Sequence, residues 1–244
     1  MRLPVVRSLK EIARHTAFHL GLSEIIDKRK RRRGLKVEHL RAPTIAERFA
    51  SIYEEKAWVH REDQKSLSGL GSEVGAATRV MSELNPLTVA LGCKTLLDVG
   101  CGDWTWMRHV QLSCRYIGID IVPEVIAANK IFERSDVTFA TVDAVEGPLP
   151  AADVALCREI LFHLSFDDGI KLIDNICKSS RWMIATTDDV WFNSDIRTGD
   201  YRALNLRRAP YRLPKPTHVI QDDTVVPGRV FALWNTDHIH LLRR

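Results

Sequence analysis

Three carboxylates, Asp98, Asp120 and Asp143, each stand at the end of a short apolar run, and the first is followed by Gly100-Cys101-Gly102. Two glycines here remove Cβ atoms where a ligand approaches the backbone. The dinucleotide fingerprint needs a third glycine, and position 105 is Thr. A carboxylate at Asp98 repels a pyrophosphate but stabilises an ammonium group or its bound water. Asp120 lies 18 residues beyond Gly102, where an acid accepts hydrogen bonds from both ribose hydroxyls. Asp143 is placed to accept from an adenine amino group. One such acid is explained as a helix cap. Three at successive strand ends beside a Gly-x-Gly call for a ligand with an ammonium, a ribose and an adenine and no phosphate, which is S-adenosylmethionine. Cys101, Ile121, Ala144 and Arg158, adjacent to these positions, complete the expected cofactor-binding set.

A sulfonium methyl group is transferred by in-line displacement, so the nucleophile must be aligned and, for a hydroxyl, deprotonated. The group that takes the proton is expected after the fourth strand, where Arg158, Glu159 and His163 stand. Glu159 and His163 are the catalytic candidates, a helical turn apart, with a salt bridge and a capping histidine as their structural alternatives. Arg158 either binds an anionic part of the substrate or pairs with an acid. Asp188 and Asp189 are secondary base candidates. Trp58, Trp104 and Trp106 read as core packing, with sugar-face stacking as the alternative. His238-Ile239-His240 lacks a third ligand nearby, and no metal is expected.

These residues need a scaffold that brings strand ends together. Residues 94–190 alternate strand and helix: strands at 95–99, 116–120, 137–142, 153–157 and 181–187, with helices at 124–132 and 169–178. That pattern implies an α/β fold, a doubly wound, Rossmann-like, mostly parallel sheet, with ligands at the carboxyl ends of its strands. Before it, residues 46–92 read as a helical cap. Thr44 and Glu47 form a capping box for one helix, and another runs from Glu73 to Asn85, before Pro86. Residues 191–244 read as a C-terminal lid, with the Pro-rich stretch 207–216, and a last strand at 229–234.

Residues 1–45 form a basic arm that extends the domain at its N-terminus. Ile12, Phe18, Leu20, Leu22, Ile25 and Ile26 give rough helical amphipathicity, and six cations follow at 28–33. The chain has 35 Lys and Arg against 31 Asp and Glu, a net charge of +4, so without that run the balance is slightly acidic. A general nucleic-acid role has little support from such a balance. The run reads as a solvated linker, and peripheral contact of residues 1–34 with anionic lipid is the sharper alternative. Five scattered cysteines, with no Cys-x-x-Cys pair, suit a reducing compartment. With no apparent signal peptide and no apolar stretch of membrane-spanning length, the expected location is the cytoplasm or the inner face of the membrane.

Leu96-Leu97-Asp98-Val99-Gly100-Cys101-Gly102 resembles motif I of class I S-adenosylmethionine-dependent methyltransferases, and Asp120 resembles their motif II acid. The resemblance extends to one bacterial subfamily through the segments 52–58, 68–72, 101–107, 157–165 and 202–206, and covers roughly residues 46–235. Lys65 departs from it, since the subfamily tends to carry Glu there. The resemblance implies methyl transfer from S-adenosylmethionine; the expected acceptor is a small molecule, glycan or glycolipid, and oxygen as its acceptor atom rests on the candidate bases Glu159 and His163 alone. The alternatives are an NAD-dependent oxidoreductase and a non-catalytic adenosyl-ligand-binding module. RNA methylation rests on residues 28–33 alone.

Overall fold

In the computed structural model, which describes residues 2–241, the apolar runs become parallel strands. Met1 and residues 242–244, the outer limits of the arm and of the domain read from the sequence, lie outside the described residues. The first five strands are β1 (Thr95–Val99), β2 (Arg115–Asp120), β3 (Val137–Thr141), β4 (Ala152–Cys157) and β5 (Ser180–Thr187). The strand β7 (Val230–Asn235) inserts antiparallel beside β5, and β6 (His218–Gln221) pairs with its far edge. The sheet order is β3-β2-β1-β4-β5-β7-β6. The chain steps outward from β1 to β3 and then returns to the other side of β1 as β4. The carboxyl ends of β1 and β4 therefore flank the topological switch point, where such sheets bind ligands.

Both sheet faces are buried, which is why the strands read as near-continuous apolar runs. Leu97, Val99, Ala155, Cys157, Met183 and Ala185 pack on one face, with Ile52 of α3 (Ile45–Glu54) and Leu172 and Ile176 of α6 (Phe166–Ser179). Their strand neighbours Leu96, Tyr116, Val154, Leu156 and Ile184 pack on the other, against Ala77, Val80 and Leu84 of α4 (Val74–Ala90). The alternation with period two fixes strand register. Between strands lies the short helix α5 (Pro123–Asn129).

Thr44 caps α3 as the sequence predicts: its Oγ accepts from the Glu47 amide at 3.2 Å, and its amide donates to Glu47 Oε2 at 3.1 Å. Four expectations are corrected. The helix expected to stop at Asn85 continues through Pro86 to Ala90. Pro86 and Ser82, whose carbonyl loses its helical partner there, are both exposed, so the proline stands on the solvent side of the helix while Leu84 and Thr88 stay buried. The strand β6 was not apparent, because His218–Gln221 is a short edge segment paired only with β7. Residues 159–160 are not helical, and only a 3-10 turn spans Leu161–His163. The stretch 207–216 is no lid: Tyr211 and Leu213 are buried in the core, and Pro214 accepts from Trp234 Nε1 at 2.8 Å.

The arm is two helices, α1 (Arg2–His19) and α2 (Ser23–Arg31), laid against the C-terminal loops. Glu11 accepts from Ser194 Oγ and the Ala203 amide, Asp27 pairs with Arg197, Lys30 pairs with Asp200 at 2.5 Å, and Arg14 donates to the Tyr201 carbonyl at 2.7 Å. The reading of residues 28–33 as a solvated linker is thus correct only in part.

Candidate functional site

The glycine turn after β1 places Gly100 at φ 68° and Gly102 at φ 56°, conformations that favour glycine. Protein, rather than ligand alone, occupies the space the glycines clear. A Cβ on Gly100 would meet Ile160 Cδ1 at 2.8 Å, and one on Gly102 would run into Ser68 Oγ. Ser68 belongs to the Ser-Gly-Leu-Gly-Ser loop, which Asp103 fastens over the turn by accepting from Ser66 Oγ at 2.9 Å and the Leu67 amide at 2.6 Å. Tyr53 reaches Ser68 from α3 at 2.9 Å. Glu73 also holds this loop: it accepts from the Lys65 and Ser66 amides at 2.8 and 2.6 Å.

Asp120 is tied into the same turn. One carboxylate oxygen accepts from the Gly102 amide and the other from the Val122 amide, both at 3.0 Å. Burial nonetheless raises its pKa. Asp98 accepts from Tyr116 Oη at 2.6 Å. Its pKa is pushed up to about 7, first by burial and also by the nearby charge of Asp120. Burial likewise raises the Cys101 thiol. Asp143 accepts from the Val145 and Glu146 amides, so it caps the following turn as well as facing the site.

A cavity of about 90 Å³ lies at these strand ends, and every residue of the expected cofactor set lines it: Asp98, Gly100, Cys101, Gly102, Asp120, Ile121, Asp143, Ala144 and Arg158. Arg158, however, is committed to the protein. Its Nη2 and Nε bond Asp222 at 2.8 and 3.1 Å, Nη1 donates to the Gly71 carbonyl at 2.8 Å, and the guanidinium lies 5.1 Å from the Trp106 ring. It therefore anchors the wall and offers no free guanidinium to an anion.

A second cavity, of about 340 Å³, adjoins the first, and Trp58, Ser68, Glu159 and His163 line both. Glu159 adopts φ 59°, which turns its carboxylate onto Gly71 and Arg229. Arg229 binds it at 2.6 Å and also binds Asp188 at 3.0 Å, above the Phe162 ring. Asp188, the secondary base candidate, thus belongs to a buried ion-pair network that Arg7 also enters at 3.2 Å, and it lines neither cavity. His163 stacks on Trp58 with ring centroids 4.5 Å apart. Its Nδ1 lies 2.8 Å from the Asp200 carbonyl, which can only accept, so Nδ1 carries the proton and Nε2 the lone pair. Burial pulls its pKa down to about 4. Trp104 is core, packed on Tyr116, Phe132 and Phe139.

Asp222, Arg229 and the arm residue Arg14 were not singled out from the sequence, because they lie far from the motifs in the chain and their types carry no local signal. Tyr53 falls in the resembling segment 52–58 and Lys30 in the basic run, but neither was given a place at the site.

Residues 30–227 match a family described as a methyltransferase domain. The chain belongs to that family. It is therefore an S-adenosylmethionine-dependent methyltransferase, and the oxidoreductase alternative falls away, in keeping with the missing third glycine. No functionally curated protein matches it by sequence. Among solved structures, the methyltransferase resembles magnesium protoporphyrin IX methyltransferase from Synechocystis PCC 6803, with a TM-score of 0.57 and 12% identity over 79% of this chain and 97% of that one. It also resembles the N-methyltransferase NodS of Bradyrhizobium japonicum WM9, with a TM-score of 0.51 and 16% identity over 66% of this chain and 96% of that one. At these identities the likeness shows the fold. No described helix of the methyltransferase is long and apolar enough to cross a membrane.

Proposed function

We propose that the methyltransferase modifies a hydroxyl of a small-molecule, glycan or glycolipid acceptor held in the second cavity, with His163 as the general base. The observation that carries this reading is the imidazole in the wall shared by both cavities, neutral and with its Nε2 lone pair unengaged among the described residues. The cofactor supplies an electrophilic methyl carbon. In the proposed step, the acceptor oxygen bonds that carbon as the carbon–sulfur bond breaks, and the hydroxyl proton passes to His163 Nε2. Glu159, held by Arg229, is the second candidate. In this reading its negative charge favours the imidazolium that His163 becomes.

In the first cavity, Asp98 is the proposed partner of the cofactor ammonium and Asp120 of its ribose, with Asp143 near the adenine and Gly100, Cys101, Gly102, Ile121, Ala144 and Arg158 shaping the walls. Two charge-poor sides of the second cavity, Leu35, Val37, Leu40 and Leu70, Val225, Val226, suit an acceptor with an apolar portion.

The test follows label from methyl-labelled cofactor into fractionated lipids, glycans, protein and RNA of the host. Label in a methyl ether of a small molecule or glycan, lost with His163→Asn while adenosylhomocysteine still binds, supports the reading. Label in RNA, or full activity in His163→Asn, overturns it.

A further inference from the structure

Helix α1 is built with its polarity reversed. The side facing the protein carries Arg7, Ser8, Glu11 and Arg14, and Ser8 and Glu11 are buried there. The side facing solvent carries Val6, Leu9 and Ile12, spaced three residues apart and 50%, 59% and 44% exposed. On an ordinary surface helix the apolar stripe faces the core. Leu20, at the junction with α2, Ile25, within α2, and Trp191, 55% exposed, are further large apolar side chains open to solvent on or next to these helices. The Trp191 amide donates to Ser8 Oγ at 2.9 Å, which holds the backbone at Trp191 against α1. Large exposed apolar patches mark surfaces that something covers.

We propose that this surface docks the methyltransferase onto an anionic lipid bilayer. Charge selects the occupant. Of the run that closes α2, Lys30 pairs with Asp200 and Arg31 with Glu38, but Lys28, Arg29, Arg32 and Arg33 are exposed and have no ionic partner among the described residues. A second copy of the chain would bring these cations against their own kind. An anionic headgroup layer attracts them, while the aliphatic side chains and the indole enter the interface. Stable peripheral attachment takes two such signals together, and this surface carries both. The inward sides of the same helices supply Arg14 and Lys30 to the wall of the second cavity. An acceptor carried at the bilayer therefore lies about 10 Å, one helix diameter, from the proposed chemistry. The docking itself does not depend on which acceptor is used or on which residue is the base.

The test is co-sedimentation of the full chain with vesicles of phosphatidylcholine, alone or mixed with phosphatidylglycerol. Binding is expected only with phosphatidylglycerol and is expected to weaken as salt rises. It should fall at least about tenfold in Leu9→Glu/Ile12→Glu and, separately, in Arg29→Glu/Arg32→Glu. Both variants alter exposed positions, so adenosylhomocysteine affinity should be retained and report an intact fold. Tryptophan emission should shift to the blue on vesicle addition, and less so in Trp191→Phe. Absence of binding at low salt, or binding indifferent to lipid charge and to both variants, overturns the proposal. So does a concentration-dependent dimer that Leu9→Glu dissolves, since the surface would then join two copies.

Discussion

At the scale of single residues, the carboxyl of Asp98 and the imidazole of His163, both in the wall of the first cavity, are shifted in opposite directions by burial. Asp98 has its pKa raised to about 7, so below that pH it is largely neutral. In the proposed placement a cationic ammonium binds the ionised carboxylate, so cofactor affinity is expected to fall as pH drops below about 7, with a proton released on binding. Calorimetry in buffers of different ionisation heat reads that proton. Asp98→Asn should abolish it and weaken binding by roughly 1.5–3 kcal/mol, the worth of a charged hydrogen bond. Because the folded pKa is raised, Asp98 contributes stability that is complete below its unfolded value of 3.8 and lost as pH rises through about 7. Thermal melts of Asp98→Asn without ligand should lack that decline. His163 is shifted the other way. An ordinary histidine base loses activity near pH 6.5, but this imidazole, at about 4, stays neutral and competent well below that. With cofactor saturating, so that the Asp98 titration does not enter, kcat is expected to hold from neutral pH down to about 5 and fall toward 4, and His163→Asn to lower turnover by about 10²–10⁴-fold. A kcat profile at saturating cofactor with an acid limb near 6.5 would contradict the assigned environment.

At the scale of elements, the loop at 66–72 matters as much as the strand ends. Its Gly71 carries two duties: its carbonyl accepts from Arg158, and its missing Cβ leaves room for the Glu159 carboxylate. A methyl group there must displace Glu159 from Arg229. Gly71→Ala is expected to lower kcat/KM by about 10- to 100-fold through misplacement alone, while adenosylhomocysteine binds as before. Steady-state kinetics alongside calorimetry separates the two effects, and parallel losses in both would mean that the loop serves the cofactor instead. The turn after β4 is equally specialised. Glu159 pays for its left-handed backbone by reaching both Gly71 and Arg229, an orientation that a regular helical turn from Cys157 would not give.

At the scale of the whole molecule, the arm is part of the enzyme. Arg7, Glu11, Arg14, Asp27 and Lys30 all bond residues of the segment 188–203, and none of them lines the first cavity. Deleting residues 1–34 is therefore expected to leave adenosylhomocysteine affinity within about twofold. The same deletion should raise KM for the acceptor and lower the melting temperature, because Glu11 and Asp27 no longer tie down the loops that close the second cavity. Equal KM in the truncated and full-length proteins would show that α1 and α2 serve only the outer surface.

The sequence by itself determined the five parallel strands and which residues meet at their carboxyl ends. Strand spacing, Gly100-Cys101-Gly102 and the acids at 98, 120 and 143 are local signals, and a doubly wound sheet brings successive strand ends together whatever surrounds them. Thr44 and Glu47 were legible for the same reason, since a cap is written within four residues. The rest depended on contacts across the chain. Whether Arg158 meets a ligand or an acid was decided by Asp222, 64 residues away, and the neighbour of Glu159 by Arg229, 70 residues away. The tautomer of His163 depends on the carbonyl of Asp200. Continuation of α4 through Pro86 was decided by packing, which outweighs local propensity when the lost hydrogen bond faces water. The polarity of α1 was likewise invisible in composition, because an amphipathic pattern names two faces and only the tertiary structure says which one is turned inward.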